Sequence, residues 1–226
     1  MKRVPAMIAA LPREIATLVK GWKRQTVASD VAVYTNGDAV VACAGMGAAR
    51  VALAVKAAMD AMPVTDLISV GLAGACDPKL RVGEIVRAGV VVDLQTNERF
   101  EDSRFKQVLV SANTIASVQE KARLHATYYA HAVDMEAAAV ARIAQAQGLD
   151  FHAIKVISDE ADFELAELAR FSTAEGQFRE AAFALYAALH PAMWGKVIAL
   201  DRNSGKAVSA LTETLRGELD WYRKNG

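Results

Sequence analysis

The sequence predicts an α/β fold, a three-layer αβα sandwich around a mixed central sheet. Three observations predict it. Apolar runs alternate with segments of helical period along the chain, as when helices cover a sheet. Several strand-like runs, such as TDLISVGLAGA, are apolar almost throughout, as strands covered on both faces must be. The chain has 226 residues, 53% of them apolar, which suits one sizeable domain and is short for two.

Taken in order, VPAMIAAL reads as a strand, and PREIATLVKGW as a helix opened by Pro12 at its first position. VAVYTNGDAVVACAG is two strands joined at Asn36-Gly37, a strong hairpin signal. MGAARVALAVKAAMDAM is a helix, and TDLISVGLAGA a buried strand ending in glycines. QTNERFEDSR, residues 95–104, is a polar loop between the strands GEIVRAGVVVDL and FKQVLVSAN. TIASVQEKARLH is a helix, AHAVDM a short strand, and EAAAVARIAQAQG a helix stopped by Gly148. DFHAIKVISDEAD is another buried strand. From about residue 164 the pattern is a helical extension, broken by FSTAEGQ and by His190-Pro191. No repeat or linker divides the chain, so residues 1–226 read as one domain.

Charge balances at 26 basic and 26 acidic residues, so nothing points to nucleic acid or an anionic membrane. No run approaches the roughly 20 apolar residues of a membrane span. The start resembles a leader only superficially, because Pro5 interrupts a short apolar run that ends in charge. The expectation is a cytoplasmic protein. Cys43 and Cys76 read as small buried thiols. His125, His131, His152 and His190 lack metal-ligand spacing, so no metal and no cofactor is expected. GMGAAR lacks the spacing of a dinucleotide fingerprint or a P-loop.

Ligands of α/β sheets sit beyond the carboxyl ends of strands. Four strands here end in something unusual: near Glu14, in Gly71 and Gly74, in Met135 and Glu136, and in Ser158, Asp159 and Asp162. Glu136 follows Asp134, a plausible N-cap, and would then fall in the first helical turn, where the dipole favours negative charge. Its apolar surroundings also suit a semi-buried carboxylate that needs donors, such as a pair of sugar hydroxyls. Ser158 and Asp159 suit either a turn cap or an acid whose proton is retained beside other carboxylates. Glu14 at a helix start is commonplace by itself.

VDMEAAAVARIA followed by FHAIKVISDEAD resembles the nucleoside phosphorylase and nucleosidase superfamily, with a Met-Glu pair before a small-residue helix and a Ser-Asp at a strand end. Glu136 and Asp159 are 159 − 136 = 23 positions apart, which fits the methylthioadenosine/S-adenosylhomocysteine nucleosidase branch. GLAGACDPKLRVGEIV resembles the family's glycine turn, and AALPREI the strand end that carries a catalytic Glu. The tail LHPAMWGKVIALDRNSGKAVSAL is similar to the hopanoid-associated phosphorylase branch. The resemblance implies roles: Glu136 holds ribose hydroxyls, and Met135 packs on the sugar. Asp159 gives a proton to N7 of a purine, Ser158 holds Asp159, and Glu14 activates water. Leu72, Ala73 and Gly74 fall on the glycine turn, and Ile115 falls where an aromatic often stacks on the base.

Ser69 and Leu72 stand where bacterial purine phosphorylases carry Arg and Ser for phosphate, so water is favoured over phosphate, with Arg13 and Arg50 as substitute anion ligands. The stretch from Val90 to Asp134 is shorter than in typical relatives, which would open the 5′ side of the pocket. The expectation is an enzyme that cleaves the N-ribosidic bond of a purine (adenosine-type) nucleoside, by hydrolysis. The alternatives are phosphorolysis, of a purine nucleoside or of an adenosyl-lipid such as adenosylhopane, and a non-catalytic nucleoside-binding protein. Relatives assemble, so a homo-oligomer is expected.

Overall fold

The structure is a computed structural model that describes residues 2–27, 31–164 and 194–225. Among these residues, ten strands join one sheet. In chain order the elements are β1 (Pro5–Ala9), α1 (Pro12–Ile15), β2 (Lys23–Val27), β3 (Val31–Thr35), β4 (Val40–Cys43), α2 (Ala48–Ala61), β5 (Asp66–Ala75), β6 (Ile85–Asp93), β7 (Arg99–Glu101), β8 (Gln107–Ser111), α3 (Val118–Tyr128), β9 (Ala132–Asp134), α4 (Ala137–Gln147), β10 (Asp150–Asp159) and α5 (Trp194–Asn225).

The long strand β5 organises the sheet. One edge pairs with parallel β10 along nearly its whole length. The other edge is shared: β1 takes the first half, from Asp66 to Ser69, and β9 takes Gly74 and Ala75. β10 also pairs with β6, β6 with β8, and β8 with β9, so β5, β10, β6, β8 and β9 curl into a closed ring. Strands β1, β4, β3 and β2 extend the sheet from that ring.

Helices cover both faces, because alternate residues of each strand point to opposite sides. Ala6 and Ile8 of β1 face α2 and α4, where Val51, Ala54, Val55 and Val140 complete a core. Met7 and Ala9 face the other way, toward Leu211, Leu215 and Tyr222 of α5. Tyr222 Oη donates to the buried Asp66 carboxylate at 2.8 Å and ties α5 to the start of β5. Burial opposes the Asp66 charge, yet the nearby His152 ring and hydrogen bonds from Arg3, Thr65 and Tyr222 hold its carboxyl well below the usual range. α3 packs on the ring through Leu124. Both cysteines are free and buried.

Three expectations change. The helix opened by Pro12 is four residues long and passes into turns before β2. β2, unforeseen, pairs antiparallel with β3 as an added edge. The polar loop at 95–104 holds the short strand β7, whose Phe100 is buried against β6 while its neighbours are exposed. The interruptions of the helical pattern expected at FSTAEGQ and His190-Pro191 lie outside the described residues.

Gly89 marks an irregularity where β6 and β8 shift register. A Cβ there would lie 2.0 Å from the Phe105 carbonyl oxygen, a backbone atom. Gly89→Ala should therefore destabilise the fold by about 3 kcal/mol or more, read as a lower urea midpoint. An unchanged midpoint would mean that the backbone at Phe105 yields freely.

Candidate active site

The way β5 divides its edge creates a notch. β1 pairs only as far as Ser69 and β9 starts at Gly74, so among the described residues the strand between them has no strand partner on that side. Glu14 fills part of the gap. Its Oε1 accepts from the Leu72 N–H at 3.2 Å, and its Oε2 accepts from the N–H groups of Ala10 and Leu11 at 3.1 and 2.9 Å. Both oxygens would lie 3.0 Å from a Cβ on Gly71, whose φ of +133° is already a glycine conformation. Glu14 is buried, and burial pushes its carboxyl above the ordinary value of 4.5. The Leu11 N–H, Lys155, the Leu72 N–H and Arg13 oppose that rise.

Glu136 stands where β9 gives way to α4. Sequence reasoning put Asp134 at the N-cap and Glu136 in the first turn. Glu136 itself takes the N-cap position, and its side chain makes no capping bond. Asp134 instead reaches inward. It accepts from Ser111 Oγ at 2.6 Å and from the Ala137 N–H at 2.9 Å, and it pairs with Lys155 Nζ at 2.9 Å. Glu136 is thereby free of the helix end, and its Oε1 accepts from the Gly47 N–H at 3.0 Å, in the loop before α2. Lys155, 1% exposed, projects from β10 among these acids. Burial alone would lower its pKa, but Asp134, Glu136 and Glu14 outweigh burial and raise it above 10.5.

Asp159 ends β10. Ser158 Oγ donates to its Oδ1 at 2.7 Å and lies 3.3 Å from the Ala73 carbonyl. Its Oδ2 forms an ion pair with Lys121 of α3, which is also 1% exposed. A Cβ on Gly74 would lie 2.9 Å from Asp159 and 3.1 Å from Lys121, so only glycine admits this pair so close to the strand.

These side chains enclose a cavity of about 170 Å³. Nine of the residues singled out from the sequence line it, Glu14, Leu72, Ala73, Gly74, Ile115, Met135, Glu136, Ser158 and Asp159, whereas Gly71, Arg50 and Asp162 are not in its lining. Glu14 at Gly71 and Asp159 at Gly74 are three residues apart along β5, about 10 Å at the strand rise. A larger cavity of about 610 Å³ lies at the other ends of the strands, around Arg3, Arg104 and His152. Two of its arginines are already paired, Arg3 with Asp66 and Asp150, and Arg104 with Asp102. Among the described residues, the two cavities share none.

Two comparisons bear on this arrangement. The family described as the Phosphorylase superfamily matches residues 6–110 and 107–190. The chain belongs to the phosphorylase superfamily. It is an enzyme of the nucleosidase or nucleoside phosphorylase kind. Among solved structures, a 5′-methylthioadenosine/S-adenosylhomocysteine nucleosidase from Helicobacter pylori is similar at a TM-score of 0.71 and 17% identity, over 97% of this chain and 98% of that one. A futalosine hydrolase of the same organism is similar at 0.72 and 17% identity, again over 97% and 98%. The nucleosidase of Neisseria meningitidis, in complex with methylthio-immucillin-A, is similar at 0.70 and 19% identity, over 95% and 97%. At such identities the likeness establishes a shared fold. No match is found among curated proteins.

Within this superfamily member, sequence reasoning missed Lys121, Lys155 and the Met46-Gly47 loop. Lys155 carried a readable signal, being the lone charge inside the apolar run HAIKVIS. Lys121 carried a weaker one, since it stands three residues before Leu124 on the buried side of α3.

Glu136 lends the fold a pH dependence. Burial pushes its carboxyl from 4.5 up to about 7, against the pull of Lys155 and with the help of Asp134. The folded value lies above the unfolded one, so both states are protonated at low pH and no penalty exists there. The penalty builds as the pH rises from about 4.5 to about 7 and is complete above. Glu136→Gln should therefore be more stable than the wild type at pH 8, by up to about 3 kcal/mol. The gain should vanish as the pH falls toward 4.5. Urea unfolding across that range tests it, and a gain that does not change with pH would assign the penalty to another group.

Proposed function

We propose that this protein hydrolyses the N-ribosidic bond of a purine nucleoside, adenosine-type in its base. The observation that carries the reading is the convergence of Glu14, Glu136 and Asp159 on one cavity. In such a cleavage the sugar gains positive charge while the base gains negative charge. Carboxylates on one side and a proton donor on the other each lower that barrier. Glu136, beside Met135, accepts from the ribose hydroxyls. Glu14 takes a proton from the attacking water: its oxygens are fixed by three backbone N–H groups, and burial raises its affinity for that proton. Asp159, on the far side of the notch, serves the leaving base at N7, with Ser158 holding it.

Water is preferred to phosphate because Leu72 uses its N–H on Glu14, and Ser69 is buried within β5 with its hydroxyl unpartnered among the described residues. Arg13 lines the cavity and favours an anion there, while the other cation in the lining, Lys121, is already paired with Asp159. The experiment is a panel of purine and pyrimidine nucleosides incubated with pure protein, scored for free base and for ribose. Free ribose formed without added phosphate supports hydrolysis. Ribose 1-phosphate formed only with phosphate would replace that reading by phosphorolysis. Binding of adenosine analogues without any released base would leave a nucleoside-binding protein.

A further inference from the structure

The ion pair between Lys121 and Asp159 bears on where the leaving base finds its proton. Both carboxylate oxygens of Asp159 already accept a hydrogen bond, Oδ1 from Ser158 and Oδ2 from Lys121. In an ion pair the transferable proton sits on nitrogen. We propose that Lys121 supplies, through Asp159, the proton taken up by the leaving purine. This rests on the hydrolytic reading above and assigns a role to a residue outside it.

Geometry supports the assignment. Lys121 lines the same cavity as Asp159, and its Nζ donates in addition to the carbonyl oxygens of Glu160 and Phe163 at 3.0 and 3.1 Å. Three acceptors thus hold the ammonium against the end of β10. The Val118 N–H donates to Glu164 at 3.2 Å, so the first turn of α3 fixes the same segment. A purely structural need would be met as well by apolar residues, because a buried ion pair adds little stability over a packed isostere. Glu14 sits against Gly71 and Glu136 at the start of α4, whereas Asp159 and Lys121 sit against Gly74.

The proton account closes. An N–H bond of the Lys121 ammonium breaks, its electron pair stays on nitrogen, and an O–H bond forms on Asp159. That bond breaks as N7 takes the proton. The electron pair of the ribosidic C–N bond moves onto the base, and water oxygen bonds to C1′. The water's proton passes to Glu14 and then to solvent, and a solvent proton restores the ammonium. One water is consumed, and neutral base and ribose are released.

The test compares adenosine with its N7-methyl cation, whose base departs neutral without being protonated. Lys121→Met should lose about 10²-fold or more in kcat on adenosine, with KM little changed, and should largely retain its rate on the methylated cation. Lys121→Arg keeps the positive charge but cannot give up its proton, so it should fail on adenosine in the same way. It also shows whether a loss stems from misfolding. Equal losses on both substrates, no loss on either, or full adenosine turnover by Lys121→Arg would each overturn the proposal. A wild type that releases base from neither substrate would overturn the hydrolytic reading itself, and the proposal with it.

Discussion

Asp159→Asn is expected to lower turnover of purine nucleosides by about 10²–10⁴-fold, the usual contribution of a positioned acid. Substrate binding should change little, because the substitution keeps the shape of the side chain. The amide can turn its oxygen toward Lys121 and its NH₂ toward Ser158. Ser158 can accept that bond, since its hydroxyl lies 3.3 Å from the Ala73 carbonyl and can donate there instead. What the amide cannot do is pass a proton between Lys121 and the base. The loss should thus fall on kcat, the signature of an interaction made in the transition state alone. The variant leaves Lys121 without a counter-charge, so rates are best compared well below its own unfolding temperature. Near-wild-type kcat would remove Asp159 from the chemistry.

Much of this arrangement was legible because it rests on local chemistry. The apolar runs of β1, β5 and β10 announce buried strands, and Asn36 announces the turn between β3 and β4, where its side chain accepts from the N–H groups of Asp38 and Ala39. An acid at the β9–α4 junction stands out against its alanine-rich surroundings. The resemblance then linked Glu14, Glu136 and Asp159, which no local pattern could connect across 145 residues, 159 − 14. The missing parts are tertiary. β7 has one apolar residue and exists because β6 offers an edge. β2 reads as polar and pairs only once β3 is in place. Nothing in the spelling of β5 says that β1 and β9 will divide its edge, although that division makes the notch. The two buried lysines were overlooked because a lysine is normally solvated. Only the folded chain places acids around them.

Lys155→Met is expected to cost about 3–5 kcal/mol of stability at pH 8, as when one partner of a buried ion pair is removed. Methionine fills much the same space, so the loss is electrostatic. Asp134 would keep its bonds to Ser111 and Ala137 but lose its cation. Glu136 and Glu14, both already pushed up by burial, would lose the charge that restrains them. The pH dependence separates this from a packing defect. The Lys155 pKa is raised above 10.5, so in the wild type its contribution is fully present throughout the neutral range and is lost only as the pH rises through that folded value. In the variant the carboxylates can escape by binding protons. The deficit should therefore shrink steadily between pH 8 and pH 5, as Glu136 becomes neutral. Paired urea titrations of both proteins across that range give the answer. A deficit independent of pH would mean that the methionine is simply badly packed, and that the charge on Lys155 is not what allows three acids to crowd beneath one cavity.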